Sequence, residues 1–271
     1  MFGFKSTNKI KLPDGTPVFC LKKSEAIVLD DHIKGYFNHG IQLKDGDIVF
    51  DVGANIGIFG LRASQWYKNV EIHCFEPIPE IHEVLAKNAR LSKNDKFHAY
   101  AMGLGSKSET ISFTYFPNSP ALSTSHPEMW ELEPDAFKKA VKGSISNSPK
   151  SFWWSKLIPD FTIPAIAWYL QKGKRKINCQ VSTLSNFIEE KSIKEINLLK
   201  MDCEGHEWEV LKGLSDAHWP KIKSIVMEIH DKDGRESKIR SILEKKGFKK
   251  ITSEKEKSLE NTDLINLFAI R

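Results

Sequence analysis

The chain has 271 residues with 40% hydrophobic and 28% charged positions and a net charge of +5, enough for one sizeable core with room for an insertion, which excludes a disordered chain or a miniature scaffold. The mild basic excess forms no stripe of Lys and Arg interleaved with aromatics, so it does not demand nucleic acid, and the widely spaced Cys20, Cys74, Cys179 and Cys203 read as reduced thiols of a cytoplasmic protein. No charged-then-apolar leader opens the chain and no apolar run approaches spanning length, so neither secretion nor membrane insertion is expected.

Residues 10–20 read as a hairpin turning at Pro13-Asp14-Gly15, and 25–37 as a helix. Residues 1–47 thus form an N-terminal extension, from which Tyr36 is placed to reach a cofactor mouth. A core strand over 48–50 then runs into Asp51-Val52-Gly53-Ala54-Asn55-Ile56-Gly57, and a helical pattern carried by Ile58, Phe59, Leu61, Ala63 and Trp66 runs out. A strand, a glycine turn and a helix form the unit with which doubly wound folds bind nucleotide-like ligands. Gly53 lets the chain turn sharply and lets a ligand approach without a Cβ in the way, while Gly57 permits close packing of helix on strand. The next strand, 70–75, ends at Glu76, roughly 20 residues past the turn, where such folds place an acid to accept hydrogen bonds from ribose hydroxyls.

Dinucleotide enzymes place a further glycine inside the turn, so that a pyrophosphate can sit against the helix N-terminus. The spacing here is G-x-x-x-G, which disfavours a nicotinamide oxidoreductase. Asp51 ahead of the turn and Asn55 within it suit a ligand carrying an amino acid moiety. The run 49–57 resembles motif I of the class I S-adenosylmethionine-dependent methyltransferases, and Phe75-Glu76-Pro77 resembles their ribose acid. That resemblance implies a cofactor site containing Asp51, Gly53, Asn55, Gly57, Glu76 and Pro77.

Residues 79–91 read as an amphipathic helix opened by Pro79, 97–102 as the third strand, and Gly103-Leu104-Gly105-Ser106 as its exit loop. In the methyltransferases the adenine ring lies against that exit, which implies Met102 and Gly103 as an apolar face and a backbone amide. Residues 111–116 read as an added strand. The pattern then breaks, because residues 117–178 hold seven prolines and four of the seven tryptophans. So long an irregular stretch is usually functional or disordered, and Trp130, Phe152, Trp153, Trp154, Trp168 and Tyr169 argue against disorder. The segment reads as an inserted lid with short helices at 134–142 and 163–170, closed by the basic run Lys172, Lys174, Arg175 and Lys176.

A strand at 178–182, a helix at 184–190 and a fourth core strand at 196–201 follow, the last ending at Asp202. The run Lys200-Met201-Asp202-Cys203-Glu204-Gly205-His206-Glu207, continued by Leu211-Lys212-Gly213, is similar to the FkbM family of methyltransferases, and the likeness spans 48–230 apart from the insertion. His206 and Glu207 read as the start of the next helix. A strand at 224–228 leads into Ile229 and His230, a basic helix at 232–246 closes at Gly247, and 248–251 with 264–270 form a final antiparallel pair. The expected fold is α/β, a Rossmann-like seven-stranded methyltransferase sheet over 48–271 with its last strand antiparallel.

Ligands of open α/β sheets lie beyond the carboxyl ends of the strands, so Gly53, Glu76, Gly103, Asp202 and His230 should share one rim. Methyl transfer from a sulfonium is an in-line displacement, and a hydroxyl acceptor needs a base or a metal to develop oxyanion character. His230 is the best base by intrinsic pKa. Asp202, Glu204 and Glu228 can hold the acceptor or orient the imidazole, and a carboxyl acceptor would need only positioning. Asp202, Glu228 and His230 also suit a Mg or Mn ion if their strand ends converge. The FkbM resemblance implies O-methylation of acceptors ranging from sugars to hydroxyacyl groups of polyketide and nonribosomal peptide assembly. An aromatic lid with a basic rim fits a substrate offered on the phosphopantetheine arm of an acidic acyl carrier protein, and the same aromatics would serve a sugar as stacking platforms. A noncatalytic cofactor-binding module is the alternative of another class.

Overall fold

The computed structural model describes residues 7–128, 136–146, 150–231, 234–255 and 264–271. Trp130 and the expected helix starts at 134 and 232 lie outside them. Strands β1 (Asn8–Lys11) and β2 (Pro17–Cys20) pair antiparallel about the Pro13-Asp14-Gly15 turn. Helix α1 (Lys23–His32) then gives way to a 3-10 segment, Ile33–Gly40, where one continuous helix was expected. Gly35 is a poor helix former, and the tighter winding is coupled to packing: Phe37 stacks on Phe59 at 5.9 Å and Tyr36 meets the same ring edge-on at 6.0 Å.

The extension is tied to the core by buried polar groups. Arg62 donates through Nε and Nη2 to the Asp30 carboxylate at 2.6 and 2.8 Å and through Nη1 to Asp14 at 2.7 Å. This bidentate geometry satisfies most of the guanidinium fork. Asn88 accepts from the Phe19 amide at 2.8 Å and donates to the Phe19 and Ile56 carbonyls at 2.9 and 2.7 Å, so an amide side chain stands in for a strand partner of β2.

The core begins with β3 (Ile48–Val52), α2 (Ile58–Trp66), β4 (Glu71–Phe75), α3 (Pro79–Ser92) and β5 (Phe97–Tyr100). β5 stops short of the expected strand end, and Gly103 and Leu104, expected in a loop, form a short strand β6. β7 (Glu109–Tyr115) pairs antiparallel with β8 (Arg175–Ser182), and β6 pairs parallel with β8. The strands expected near 111 and 178 therefore build a separate three-stranded sheet. Tyr115 opposes Arg175, so residues 116–174 leave and re-enter that sheet at one end. Within them α4 (Ala136–Ser146) and α5 (Ile163–Gln171) bury Phe137, Val141, Ile163 and Ala167 in a small core of their own.

The chain returns through α6 (Leu184–Glu190), β9 (Ile196–Met201), α7 (Glu207–Lys212), β10 (Ile222–His230), α8 (Arg235–Lys245), β11 (Lys250–Glu254) and β12 (Leu264–Ile270). β11 lies a few residues beyond its expected place. The main sheet runs β11-β12-β10-β9-β3-β4-β5, with β12 antiparallel to both neighbours and the five strands from β10 to β5 parallel. That is the expected seven-stranded Rossmann-like sheet. Its central strands are buried on both faces, which is why they read as nearly unbroken apolar runs. Among the described residues no helix is long and apolar enough to cross a membrane, and all four cysteines are free thiols.

Candidate active site

The chain builds outward from β3 in one direction and from β9 in the other, so the strand order reverses between these two neighbours. Such a switch point leaves a crevice at the carboxyl ends of the strands. A cavity of about 460 Å³ opens there, lined by Tyr36, Gly53, Asn55, Glu76, Pro77, Gly103, Asp202, Glu204, Glu228 and His230. Asp51 and Gly57 lie behind this wall. Met102 is not among the lining residues and packs against the core cluster that contains Leu104, and Leu104 stands on the wall in its place.

Beneath the cavity is a buried charge cluster. Asp51 and Lys200 are paired across the parallel strands β3 and β9, with Lys200 Nζ 2.9 Å from Asp51 Oδ1 and 3.8 Å from Asp202 Oδ2. Tyr36 donates its hydroxyl to Asp202 Oδ2 at 3.1 Å, and its ring lies 5.4 Å from the Lys200 ammonium. Burial opposes the charge on Lys200, but the two carboxylates outweigh it and hold its pKa above the ordinary lysine value. Burial and the neighbouring Asp202 and Glu228 carboxylates push the Tyr36 phenol well up, so it stays a donor. Lys200 opens the family-like run but is given no role by the sequence, although a lysine in a largely apolar central strand has to find a buried counter-charge.

The glycine turn also makes room for the protein's own backbone. A Cβ on Gly53 would lie 1.9 Å from the Asp202 carbonyl oxygen, and the residue has φ +75°. The bare Cα therefore lets the chain end of β9 close on the turn, fastened by the Asp202 amide donating to the Val52 carbonyl at 3.0 Å. At Gly57 a Cβ would meet Leu85 of α3 at 2.4 Å, so the close packing is chiefly helix on helix. Asn55 adopts φ +49°, a region Asn tolerates, and its side chain accepts from the Ile56 amide at 2.8 Å. Glu76 accepts from the Ile78 amide at 2.9 Å, and burial pushes its pKa up to about 7.

Just beyond Asp202, Glu204 and Gly205 both have positive φ, +52° and +97°. For a glutamate this costs about 1–2 kcal/mol. The turn is held by Glu207, which accepts from the Cys203 and Gly205 amides at 2.8 and 3.2 Å, and by the Thr124 hydroxyl donating to the Glu204 carbonyl at 2.8 Å. It brings Glu204 Oε2 to 3.7 Å from His230 Nε2, a buried nitrogen with no hydrogen-bond partner among the described residues. Burial works against a charged imidazole, yet the Glu204 carboxylate, helped by Glu207 and Asp202, raises the His230 pKa. Burial likewise raises the Glu204 pKa, with His230 opposing. Glu207 begins α7 as expected, and its carboxylate is buried as a clasp for the preceding turn. His206, which burial and His126 depress to about 4, meets His126 at 3.1 Å and Ser125 at 3.2 Å. Among the described residues no three His, Cys, Asp or Glu side chains gather closely enough to hold a metal ion, so Asp202, Glu228 and His230 share the cavity without forming a ligand cluster.

The arrangement brings Asn55 and Glu76 into one cavity with the His230 imidazole and the Glu204 carboxylate 3.7 Å from its Nε2. Residues 51–250 match the model of the methyltransferase FkbM domain. The chain is 30% identical over 265 residues to the 31-O-demethyl-FK506 methyltransferase FkbM of Streptomyces tacrolimicus, covering 97% of this chain and 96% of that protein. It is 32% identical over 218 residues to methyltransferase sdnD of Sordaria araneosa, covering 76% of this chain and 75% of that one. It is also 28% identical over 272 aligned residues to the AMB antimetabolite synthetase AmbE of Pseudomonas aeruginosa, where 97% of this chain corresponds to 12% of the synthetase. A match over most of the sheet, together with a full-length relative, places the chain in the FkbM methyltransferase family.

Proposed function

We propose that the protein is an S-adenosylmethionine-dependent O-methyltransferase that methylates a hydroxyl of a natural-product intermediate, presented as an acyl group on the phosphopantetheine arm of a carrier protein. The observation that carries this reading is that Asn55, Glu76, Glu204 and His230 line one cavity. The donor set fits the cofactor. Glu76, an acid on the wall that accepts from the Ile78 and Asn55 amides, has further carboxylate lone pairs with which it would accept from the ribose hydroxyls, while Pro77, Gly103 and Leu104 offer an apolar slot for the adenine. When bound, S-adenosylmethionine supplies an electrophilic methyl group.

Asp202, fixed by Tyr36 and Lys200, orients the acceptor. His230 takes the hydroxyl proton as the oxygen attacks, and Glu204, whose carboxylate lies 3.7 Å from its Nε2, stabilises the imidazolium that results; a positioned base of this kind contributes on the order of 10²–10⁴ in rate. The segment 117–178 acts as a lid, since Val141 and Ile145 of α4 and Ile166 and Leu170 of α5 line the cavity. Those aliphatic side chains suit an acyl chain better than a sugar, whose hydroxyls they could not satisfy. The oxygen in the name of the Streptomyces relative supports a hydroxyl acceptor, and the embedding of a similar stretch in a synthetase supports a natural-product setting.

The test is the intact mass of a hydroxyacyl-loaded carrier protein after incubation with the protein and S-adenosylmethionine, beside free hydroxyacyl and sugar acceptors, with and without chelator. One added methyl on the loaded carrier alone is expected, with no effect of chelator. Methylation of sugars alone would overturn the acceptor assignment, and rescue of a chelated reaction by Mg or Mn would make Asp202, Glu228 and His230 ligands rather than base and positioning groups.

A further inference from the structure

Seven large apolar side chains are exposed among the described residues, and six of them fall between positions 153 and 169: Trp153, Trp154, Leu157, Phe161, Trp168 and Tyr169. Phe161 is 83% exposed. On α5 the exposed positions 164, 165, 168 and 169 recur at four-residue spacing and form one stripe. The opposite side of the helix is buried through Ile163 and Ala167 or faces the cavity through Ile166 and Leu170. Single exposed apolar residues need no explanation, but a concentration of this kind marks an interaction surface.

The charge around the patch selects the partner. By sequence, 136–176 holds eight Lys and one Arg against the single acid Asp160, a net +8 in a chain whose total is +5, with Lys142 paired to Asp160 and Arg175 to Glu80 of α3. Lys172 extends over the Trp168 ring with its ammonium 5.0 Å from the centroid. Protein interfaces favour Trp and Arg but are depleted in Lys. At a lipid surface, Trp and Tyr rings settle at headgroup depth while lysines lay their stems on apolar surface and hold their charges among anionic headgroups. We infer that the outer face of residues 150–176 seats this protein on an anionic lipid surface. This is association in the plane of the interface, with no span, and it does not depend on how the acceptor is presented.

The full chain is sedimented with vesicles of phosphatidylcholine alone and of phosphatidylcholine mixed with phosphatidylglycerol, at low and high ionic strength. Binding is expected to the anionic vesicles, weakening with salt. F161D and W168S should each lower partitioning by about tenfold, while W66S, at the exposed apolar residue outside the segment, should leave it unchanged. Neither Phe161 nor Trp168 lines the cavity, so methyl transfer to a dissolved acceptor should persist in both. Failure to bind anionic vesicles at low ionic strength would overturn the inference. So would a dimer in vesicle-free solution that F161D dissociates, or an effect of F161D on binding to an acidic carrier protein but not to vesicles.

Discussion

Replacing Lys200 by methionine tests the charge cluster beneath the cavity. Methionine keeps most of the volume and removes the cation 2.9 Å from Asp51, whose exposure is 0%. Breaking one partner out of a buried pair costs about 3–5 kcal/mol, because the other charge is left without compensation. At about 2.1 cal/mol/K of unfolding entropy per residue, a chain of 271 residues carries roughly 0.6 kcal/mol/K, so Tm should fall by about 5–9 °C. Burial already pushes the Asp51 pKa up, with Lys200 opposing it, and without Lys200 it should rise further. The folded variant then holds a proton that the unfolded chain releases. Its deficit should be largest above the folded pKa of Asp51 and shrink as pH falls toward the unfolded value. Calorimetry on either side of neutrality reads this directly, and Asp51→Asn combined with Lys200→Met should recover most of the loss, since removing a buried pair whole is close to neutral. A single variant melting within about 2 °C of the parent above neutrality, or a double variant less stable than the single, would refute the reasoning.

Gly53→Ala should lose more than about 4 kcal/mol or fail to fold, because its Cβ meets the Asp202 carbonyl at 1.9 Å, whereas Gly15→Ala, with φ +88° and nothing within 4 Å, should lose only about 1 kcal/mol; urea denaturation showing equal losses would remove the close approach as the cause. S-adenosylhomocysteine binding measured by calorimetry should strengthen as pH rises through about 7, where Glu76 ionises, and Glu76→Gln should abolish that dependence and weaken binding by about tenfold on the alkaline side. The rate of methyl transfer should rise with pH through a midpoint above the ordinary imidazole value, because His230 must be neutral to take a proton and its pKa is raised. Glu204→Gln should move that midpoint down, and His230→Gln should cost about 10²-fold or more in kcat; a midpoint indifferent to Glu204 would exclude their coupling.

The parallel centre of the sheet was legible because strands buried on both faces must be apolar throughout, and β9 and β12 lie where their apolar runs place them. α3 was equally plain, since Pro79 can open a helix without losing a hydrogen bond. The second sheet was not. β6 has two residues, and β7 takes its partner from strand residues on the far side of the 116–174 segment, so no local pattern says which sheet it joins. The change of pitch at Ile33 arises from aromatic packing on α2, a tertiary cause. At the site, the residue types at strand ends announced themselves, but the reason for Gly53 did not. The turn pattern explains a glycine by an approaching ligand, and only the fold reveals that the protein's own Asp202 carbonyl also requires it.

Asp202 is accordingly the point at which folding and function meet. Its amide and carbonyl set how closely β9 approaches the β3 turn, while its carboxylate receives Tyr36 and stands near Lys200. Tyr36 comes from outside the sheet, on the 3-10 segment, so the floor of the cavity is complete only when the extension is docked. Two contacts of α2 accomplish this: the Phe59 ring receives Tyr36 and Phe37, and one turn later Arg62 clamps Asp30 of α1. Ile58 and Phe59 at the start of the same helix line the cavity. The helix that follows the glycine turn therefore serves as both wall and anchor, and the extension is a working part of the site because it lines the cavity through Ser24, Glu25 and His32 and its Tyr36 hydroxyl ends on the Asp202 carboxylate.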